Sequence, residues 1–139
     1  MFLKFEKVIP TKDQIKILYE LLINRRYSIS HNRLPSSKEH SEFVLKNSYV
    51  EWYIVYKNEK LYGSVYIHSD NSVGINFNEI KKEDVLEIIT YIKNYHKPLP
   101  EIKSSRRGEF FLNVAKDDLN FIKILKQLDK IEIQRSFII

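Results

Sequence analysis

Between Trp52 and Phe77 lie three short runs rich in β-branched and aromatic residues, WYIVYK, KLYGSVYIHS and SVGINF, the last alternating apolar and polar residues. No other stretch constrains the fold as much. A period of two is strand patterning, and the polar tetrads Lys57-Asn58-Glu59-Lys60 and Ser69-Asp70-Asn71-Ser72 have the turn chemistry of two hairpins. The spacing predicts a three-strand antiparallel meander. From Lys81 the period lengthens to 3.6, so that a helix to Tyr95 turns Val85, Ile88, Ile89 and Ile92 inward. A strand from Glu109 to Val114, a helix from Asp117 to Leu128 and a closing strand, KIEIQRSFII, follow.

Ahead of the meander, Phe2 to Val8 sets Phe2, Leu3, Phe5 and Val8 against Lys4, Glu6 and Lys7, the pattern of a half-buried strand. Thr11-Lys12-Asp13-Gln14 is a capping box. The helix it opens shows Ile15, Leu18, Leu21 and Leu22 on one face and fails near Asn24-Arg25. After an irregular polar segment to Arg33, Ser36-Ser37-Lys38-Glu39 is a second capping box, opening a short helix with His40, Phe43 and Val44. Lys97 to Gly108, with its prolines and the basic run Lys103-Ser104-Ser105-Arg106-Arg107, reads as a surface loop. The order is that of one α+β domain over residues 1–139.

Composition narrows the function. With 139 residues, 43% hydrophobic, the chain can bury one core. It contains no Cys, which excludes a disulfide scaffold, a Cys-type zinc site and a thiol nucleophile. The four His show no ligand spacing, so no metal is expected. The start, MFLKFEKVIP, lacks a signal peptide's apolar run, and nothing approaches the ~20 apolar residues of a membrane span. A cytoplasmic setting without a membrane partner is the expectation. The net charge of +5 tolerates an anionic partner, but the basic residues are dispersed, and no recognition helix or stacking platform points to nucleic acid. No Gly-x-Ser-x-Gly elbow, Walker loop or dinucleotide fingerprint supports a hydrolase, kinase or dehydrogenase.

The element order, together with Ile29-Ser30-His31, Pro35, Glu39-His40 with Phe43-Val44, Trp52-Tyr53-Ile54, Tyr62 to Ile67, Val73-Gly74-Ile75, Leu112 to Ala115 and Ile133-Gln134, resembles the GNAT N-acetyltransferase superfamily. Within it the chain looks like the short sugar and nucleotide-sugar acetyltransferases encoded beside surface-polysaccharide genes. The resemblance implies a mixed, mostly antiparallel central sheet with helices on both faces. It also implies acetyl-CoA or another acyl-CoA as donor, held in the gap between SVGINF and EFFLNV. The acceptor would be a small-molecule amine, a nucleotide-sugar among the candidates, and a homodimer is compatible with it.

Two departures bear on the chemistry. The family's Arg/Gln-x-x-Gly-x-Gly/Ala turn brings backbone N–H groups onto a pyrophosphate at a helix start; here Phe77-Asn78-Glu79-Ile80-Lys81-Lys82-Glu83-Asp84 has no glycine. Where the family carries a Tyr as general acid stands Leu125, and Asp129-Lys130 replaces a Gly-Phe pair. A second reading therefore stands beside acyl transfer: a GNAT-fold binding or partner module without catalysis.

On the transferase reading His31 is the candidate base, and Asn113 marks where a backbone amide would polarise the thioester carbonyl. Ile75, Phe77, Asn78, Lys81 and Lys82 would border the cofactor, with Arg106 and Arg107 as a substitute anion site. Arg25 and Arg26 would clamp acceptor phosphates, with Ser30 and Tyr53 as further substrate contacts. Each has a plainer alternative: a backbone-bonded loop His31, a basic helix end at Arg25-Arg26, a solvated loop at Arg106-Arg107, a turn-forming Asn113. Gly63 and Gly74 call for a bulge, a close ligand or tight packing of the first helix.

Overall fold

The computed structural model describes residues 2–25 and 33–139. Its sheet runs in the order β1 (Leu3–Lys7), β2 (Glu51–Lys57), β3 (Lys60–Ile67), β4 (Ser72–Phe77) and β5 (Phe111–Leu112). The first four strands pair antiparallel, and β5 joins β4 in parallel. Helices α1 (Lys12–Ile23) and α2 (Ser37–Lys46) separate β1 from β2, α3 (Lys82–Tyr95) separates β4 from β5, and α4 (Leu119–Gln127) follows β5. This is an α+β fold with a mostly antiparallel sheet.

The alternation read from the sequence sorts the side chains onto two faces. Val55, Val65, Ile67 and Val73 meet Val85, Ile88 and Ile92 of α3 and Phe121 and Ile124 of α4. The opposite face sets Trp52 and Ile54 against Leu18 of α1 and Val44 of α2. Burying each such aliphatic side chain stabilises by about 1.5–3 kcal/mol, so the sheet carries helices on both sides. The Ser36 capping box forms in full, with Ser36 and Glu39 exchanging bonds of 3.1 and 3.0 Å. Only half of the Thr11 box forms: Gln14 N–H donates to Thr11 Oγ1 at 3.2 Å, but the Gln14 side-chain oxygen accepts from Ile9 N–H at 2.7 Å instead of from Thr11.

The two mid-strand glycines have one shared explanation. Gly63 lies across from Phe77, and a Cβ there would fall 1.5 Å from the ring and 2.5 Å from the carbonyl oxygen of Asn76. Gly74 lies across from Tyr66, whose ring would stand 1.9 Å from an added Cβ. Each glycine is the floor under an aromatic ring of the neighbouring strand. Gly63→Ala should cost about 2–3 kcal/mol, because backbone must shift with the ring; Gly74→Ala should cost less, since the ring of Tyr66 alone obstructs it. Urea midpoints of the two variants check the order.

The β2–β3 hairpin turns through Asn58 and Glu59, both left-handed at φ 51° and 65°. Asn suits that conformation and Glu does not. Glu59→Gly should raise stability by about 1 kcal/mol, visible as a higher thermal midpoint.

Three boundaries differ from the sequence reading. β5 is two residues rather than six, because the chain after Leu112 diverges from β4. Helix α4 begins later, since Asp118 is its N-cap, accepting from Phe121 N–H at 3.3 Å. The closing strand expected over residues 130–139 is not in the sheet: every residue from Asp129 on is exposed, and no strand forms there. α4 ends instead in a left-handed Asp129 (φ 58°) with Lys130 N–H bonded to Leu125 O at 2.9 Å, a Schellman closure that turns the chain away.

Candidate functional site

β4 and β5 are joined only at Ser72–Phe111 and Val73–Leu112. Beyond that point the strands part and leave a cleft between them. Two segments build it, one from each strand's end. From β4, alternation sends Ile75 and Phe77 toward the α3 face and Asn76 toward the α1 face; from beyond β5 come Asn113, Val114 and Ala115. Arg25 at the end of α1, Tyr66 of β3, and Asp118 and Phe121 of α4 complete the lining. The enclosed base measures about 30 Å³, room for a water or two. A longer ligand arm has to lie along the open mouth or displace Arg25 or Tyr66.

The parting is fixed by Asn71. This residue is 1% exposed and left-handed at φ 74°. Its Nδ2 donates to Leu99 O at 2.9 Å and Arg107 O at 2.8 Å, and its Oδ1 accepts from Leu99 N–H at 2.7 Å. Its own carbonyl takes the Phe111 N–H at 3.3 Å. One turn residue thus folds loop 97–108 back and starts β5 against β4 at one end only.

Polar groups cluster at the cleft mouth. Burial raises the Tyr66 hydroxyl pKa, against the opposing Arg25 charge and a hydrogen bond with the Asn76 side chain. The Tyr66 ring stacks on Tyr49 at 4.5 Å, and burial likewise lifts Tyr49 well above the usual phenol range, with Arg25 again opposing. The cleft therefore offers one guanidinium, a neutral hydroxyl, two amides (Asn76 and Asn113) and the carboxylate of Asp118. Such a set can bind an anion or orient a polar arm by hydrogen bonds.

The turn from β4 into α3 is closed. Ile80 is buried in the core, and Asn78, Lys81 and Lys82 are exposed outside the cleft lining. Asp84, 2% exposed, takes the position of an anion at the helix start: its carboxylate accepts from Lys57 Nζ at 3.0 and 3.1 Å, from Tyr62 Oη at 2.5 Å and from Lys81 N–H at 3.3 Å. Burial and the bond to Asp84 push the Tyr62 hydroxyl far above the usual phenol range, so Tyr62 remains a donor to the carboxylate.

Four of the residues singled out in the sequence meet in the cleft: Arg25, Ile75, Phe77 and Asn113. Arg106 does not line it. Its Nε donates to Pro100 O at 2.8 Å and its guanidinium to Ser69 O at 3.3 Å. It braces loop 97–108 beside the start of β4, a strand's length from the start of α3. Arg107 is exposed on the same loop. Tyr53 is also elsewhere: it is 6% exposed on β2, edge-on to Phe5 and Tyr91, with its hydroxyl 2.6 Å from His96 Nε2. Arg26, Ser30 and His31 lie outside the described residues. Tyr66, Asn76 and Asp118 were not singled out. For Asn76 a signal existed, since it alternates between Ile75 and Phe77 and must face the opposite side of the same strand.

Comparison with solved structures places this geometry. A domain from Methanocaldococcus jannaschii superposes over 96% of this chain and 91% of its own, with a TM-score of 0.67 at 14% identity. The N-acetyltransferase PseH of Campylobacter jejuni, solved with acetyl coenzyme A, superposes over 96% and 92% with a TM-score of 0.58 at 14% identity. RimL, a ribosomal L7/L12 alpha-N-protein acetyltransferase solved with coenzyme A, covers 91% and 78% with a TM-score of 0.59 at 10% identity. The chain has the GNAT fold. No protein-family model matches the sequence, and the search of curated proteins finds no match. Within the GNAT framework the β4–β5 wedge and the β4–α3 turn are distinct features of this chain: the first is open, the second sealed by Ile80 and Asp84. Among the described residues no group of His, Asp and Glu could hold a metal ion, and no helix is long and apolar enough to cross a membrane.

Proposed function

We propose that the protein is a GNAT-type N-acyltransferase whose acyl-CoA thioester lies along the β4–β5 cleft. The parting of the two strands beyond Val73 carries this reading. It leaves strand backbone of residues 74–77 without a β5 partner, so that amides and carbonyls can take the place of a ladder along a pantetheine-like arm. An amine would attack the thioester carbonyl carbon; the C–N bond forms as the C–S bond breaks, and the thiolate leaves. His31 is the proposed proton acceptor for the amine, and an amide near Asn113 the proposed donor to the developing oxyanion. With Leu125 where a tyrosine acid would stand, the thiolate would take its proton from water. The phosphates of the donor would lie in solvent outside the α3 turn. The acceptor is proposed to be a small amine, with a nucleotide-linked amino sugar as the class that Arg25 and Arg26 fit, in a cytoplasmic pathway for surface polysaccharide.

A specific observation favours the second reading, a GNAT-fold binding module without catalysis. Asp84 already neutralises the helix start that would otherwise draw a pyrophosphate. The two readings separate in one assay: release of CoA thiol from acetyl-CoA with a panel of primary amines, nucleotide-linked amino sugars included. The transferase reading expects turnover, and it expects Arg25→Ala to raise KM for the phosphate-bearing acceptor about tenfold with kcat little changed, the cost of one charge-assisted contact of about 1.4 kcal/mol. Absence of thiol release with every amine, at millimolar acetyl-CoA, supports the binding module instead.

A further inference from the structure

We propose that residues 130–139 are an exchanged strand, pairing with the open edge of β5 in a second copy of the chain. The segment is built as a strand. Ile131, Ile133, Phe137 and Ile139 fall on one side of its alternation together with Arg135, and Glu132, Gln134, Ser136 and Ile138 on the other. Yet its own fold leaves most of it exposed: Ile131 is 85% exposed, Phe137 82%, and Ile138 and Ile139 fully, with Ile133 alone about half covered, at 46% exposure. Among the described residues, no backbone hydrogen bond joins residues 131–139 to the rest of the chain. The only side-chain bonds there link Arg135 to Glu132 within the segment.

The same molecule leaves a matching edge open. β5 ends the sheet order, is paired on its β4 side alone, and is flanked by the half-buried apolar side chains Phe110, Leu112 and Val114. An unpaired strand edge is a template for another strand. The three-residue connection from α4, locked by the left-handed Asp129, turns the segment out. Short, closed hinges of this kind favour exchange over self-closure.

A second copy is the occupant because each chain offers both halves of the joint, and a two-fold exchange satisfies both twice. The area suffices. Five large apolar side chains lose about 100 Å² apiece on burial, by the usual ratio of transfer energy to area, and the surface they meet loses a similar amount. Two exchanged segments then reach the roughly 1,600 Å² of a standard stable interface. With the strands antiparallel and Ile133 opposite Leu112, Arg135 stands opposite Phe110 and Ser136 opposite Glu109.

The chain has no cysteine, which allows a direct test. One copy carries Ser136→Cys, and a second, size-tagged copy carries Glu109→Cys; the two are mixed, refolded together and treated with a short bis-maleimide. The expected product is a covalent pair of one tagged and one untagged chain. Sedimentation of the unmodified protein should give a dimer at ~50 μM. Ending the chain at Asp129, or introducing Ile133→Glu with Phe137→Glu into the full chain, should give a folded monomer that keeps the helical signal of its far-ultraviolet circular dichroism and a cooperative thermal transition. The double-glutamate variant keeps the test valid if the shortened chain does not fold. The proposal is overturned by a monomeric unmodified protein, by a dimer that survives the double-glutamate substitution, or by a chain bearing both cysteines that links only within itself.

Discussion

Replacing Asn71 with alanine should destabilise the protein by about 3 kcal/mol and lower the thermal midpoint by roughly 10 °C. The side chain makes three hydrogen bonds to the backbone of loop 97–108, at 2.7–2.9 Å, from a position 1% exposed. Each lost bond costs about 1 kcal/mol net, and more where the backbone group stays dry. Asn71→Gly isolates the side chain from the backbone, because glycine keeps the left-handed turn without strain. It should recover less than half of the loss. The consequence reaches the candidate site, since the carbonyl of Asn71 also seats Phe111. In Asn71→Ala, hydrogen exchange at Phe111 and Leu112 should accelerate together with that of Leu99, whereas α1 and α2 should hold their protection. Uniform loss of protection across the whole chain would show that Asn71 is not a local clamp.

Asp84→Ala should be the second large loss, again about 3 kcal/mol. The substitution removes the acceptor for Lys57, Tyr62 and the Lys81 N–H at once, leaving a lysine whose side chain is only 22% exposed with no counter-charge. Lys57→Met should cost distinctly less, because the carboxylate keeps Tyr62 and the helix start as donors. The double variant should be more stable than Asp84→Ala alone, as the stranded ammonium is gone. Chemical denaturation of the three proteins gives the cycle directly. Equal losses for Asp84→Ala and Lys57→Met would mean that the ion pair alone matters and that the carboxylate has no separate role in sealing the turn.

Much of the fold was legible because it rests on local periodicity. The apolar runs WYIVYK, KLYGSVYIHS and SVGINF, bounded by turn tetrads, gave the strands, and the 3.6-residue period picked out Val85, Ile88 and Ile92, which are buried as expected. The capping boxes at Thr11 and Ser36 located two helix starts. What escaped was contact between segments far apart in the chain. Nothing local distinguishes Asn71 from any other turn former, since its partners lie 28 and 36 residues away. Gly63 and Gly74 could be flagged but not explained, because the ring above each belongs to the next strand. Nothing local in the basic run shows that Arg106 donates to the carbonyls of Pro100 and Ser69, the second 37 residues away. The segment 130–139 has a strand's pattern, and pattern alone cannot say which edge, or whose, it pairs with. The missing glycines of the β4–α3 turn were visible at once. That an internal carboxylate fills the helix start was not, since the bonds from Lys57 and Tyr62 span 27 and 22 residues.

The central claim is that the β4–β5 wedge, and not the β4–α3 turn, receives the acyl donor. Amide chemical shifts of ¹⁵N-labelled protein during titration with acetyl-CoA test it most directly. Saturable shifts are expected at Gly74 to Phe77 and Asn113 to Ala115, with weak affinity, above ~100 μM, because no backbone cradle holds the pyrophosphate. Amides from Lys81 to Asp84 should stay in place. Shifts centred on Lys81 to Asp84, or none anywhere at millimolar acetyl-CoA, would contradict the account.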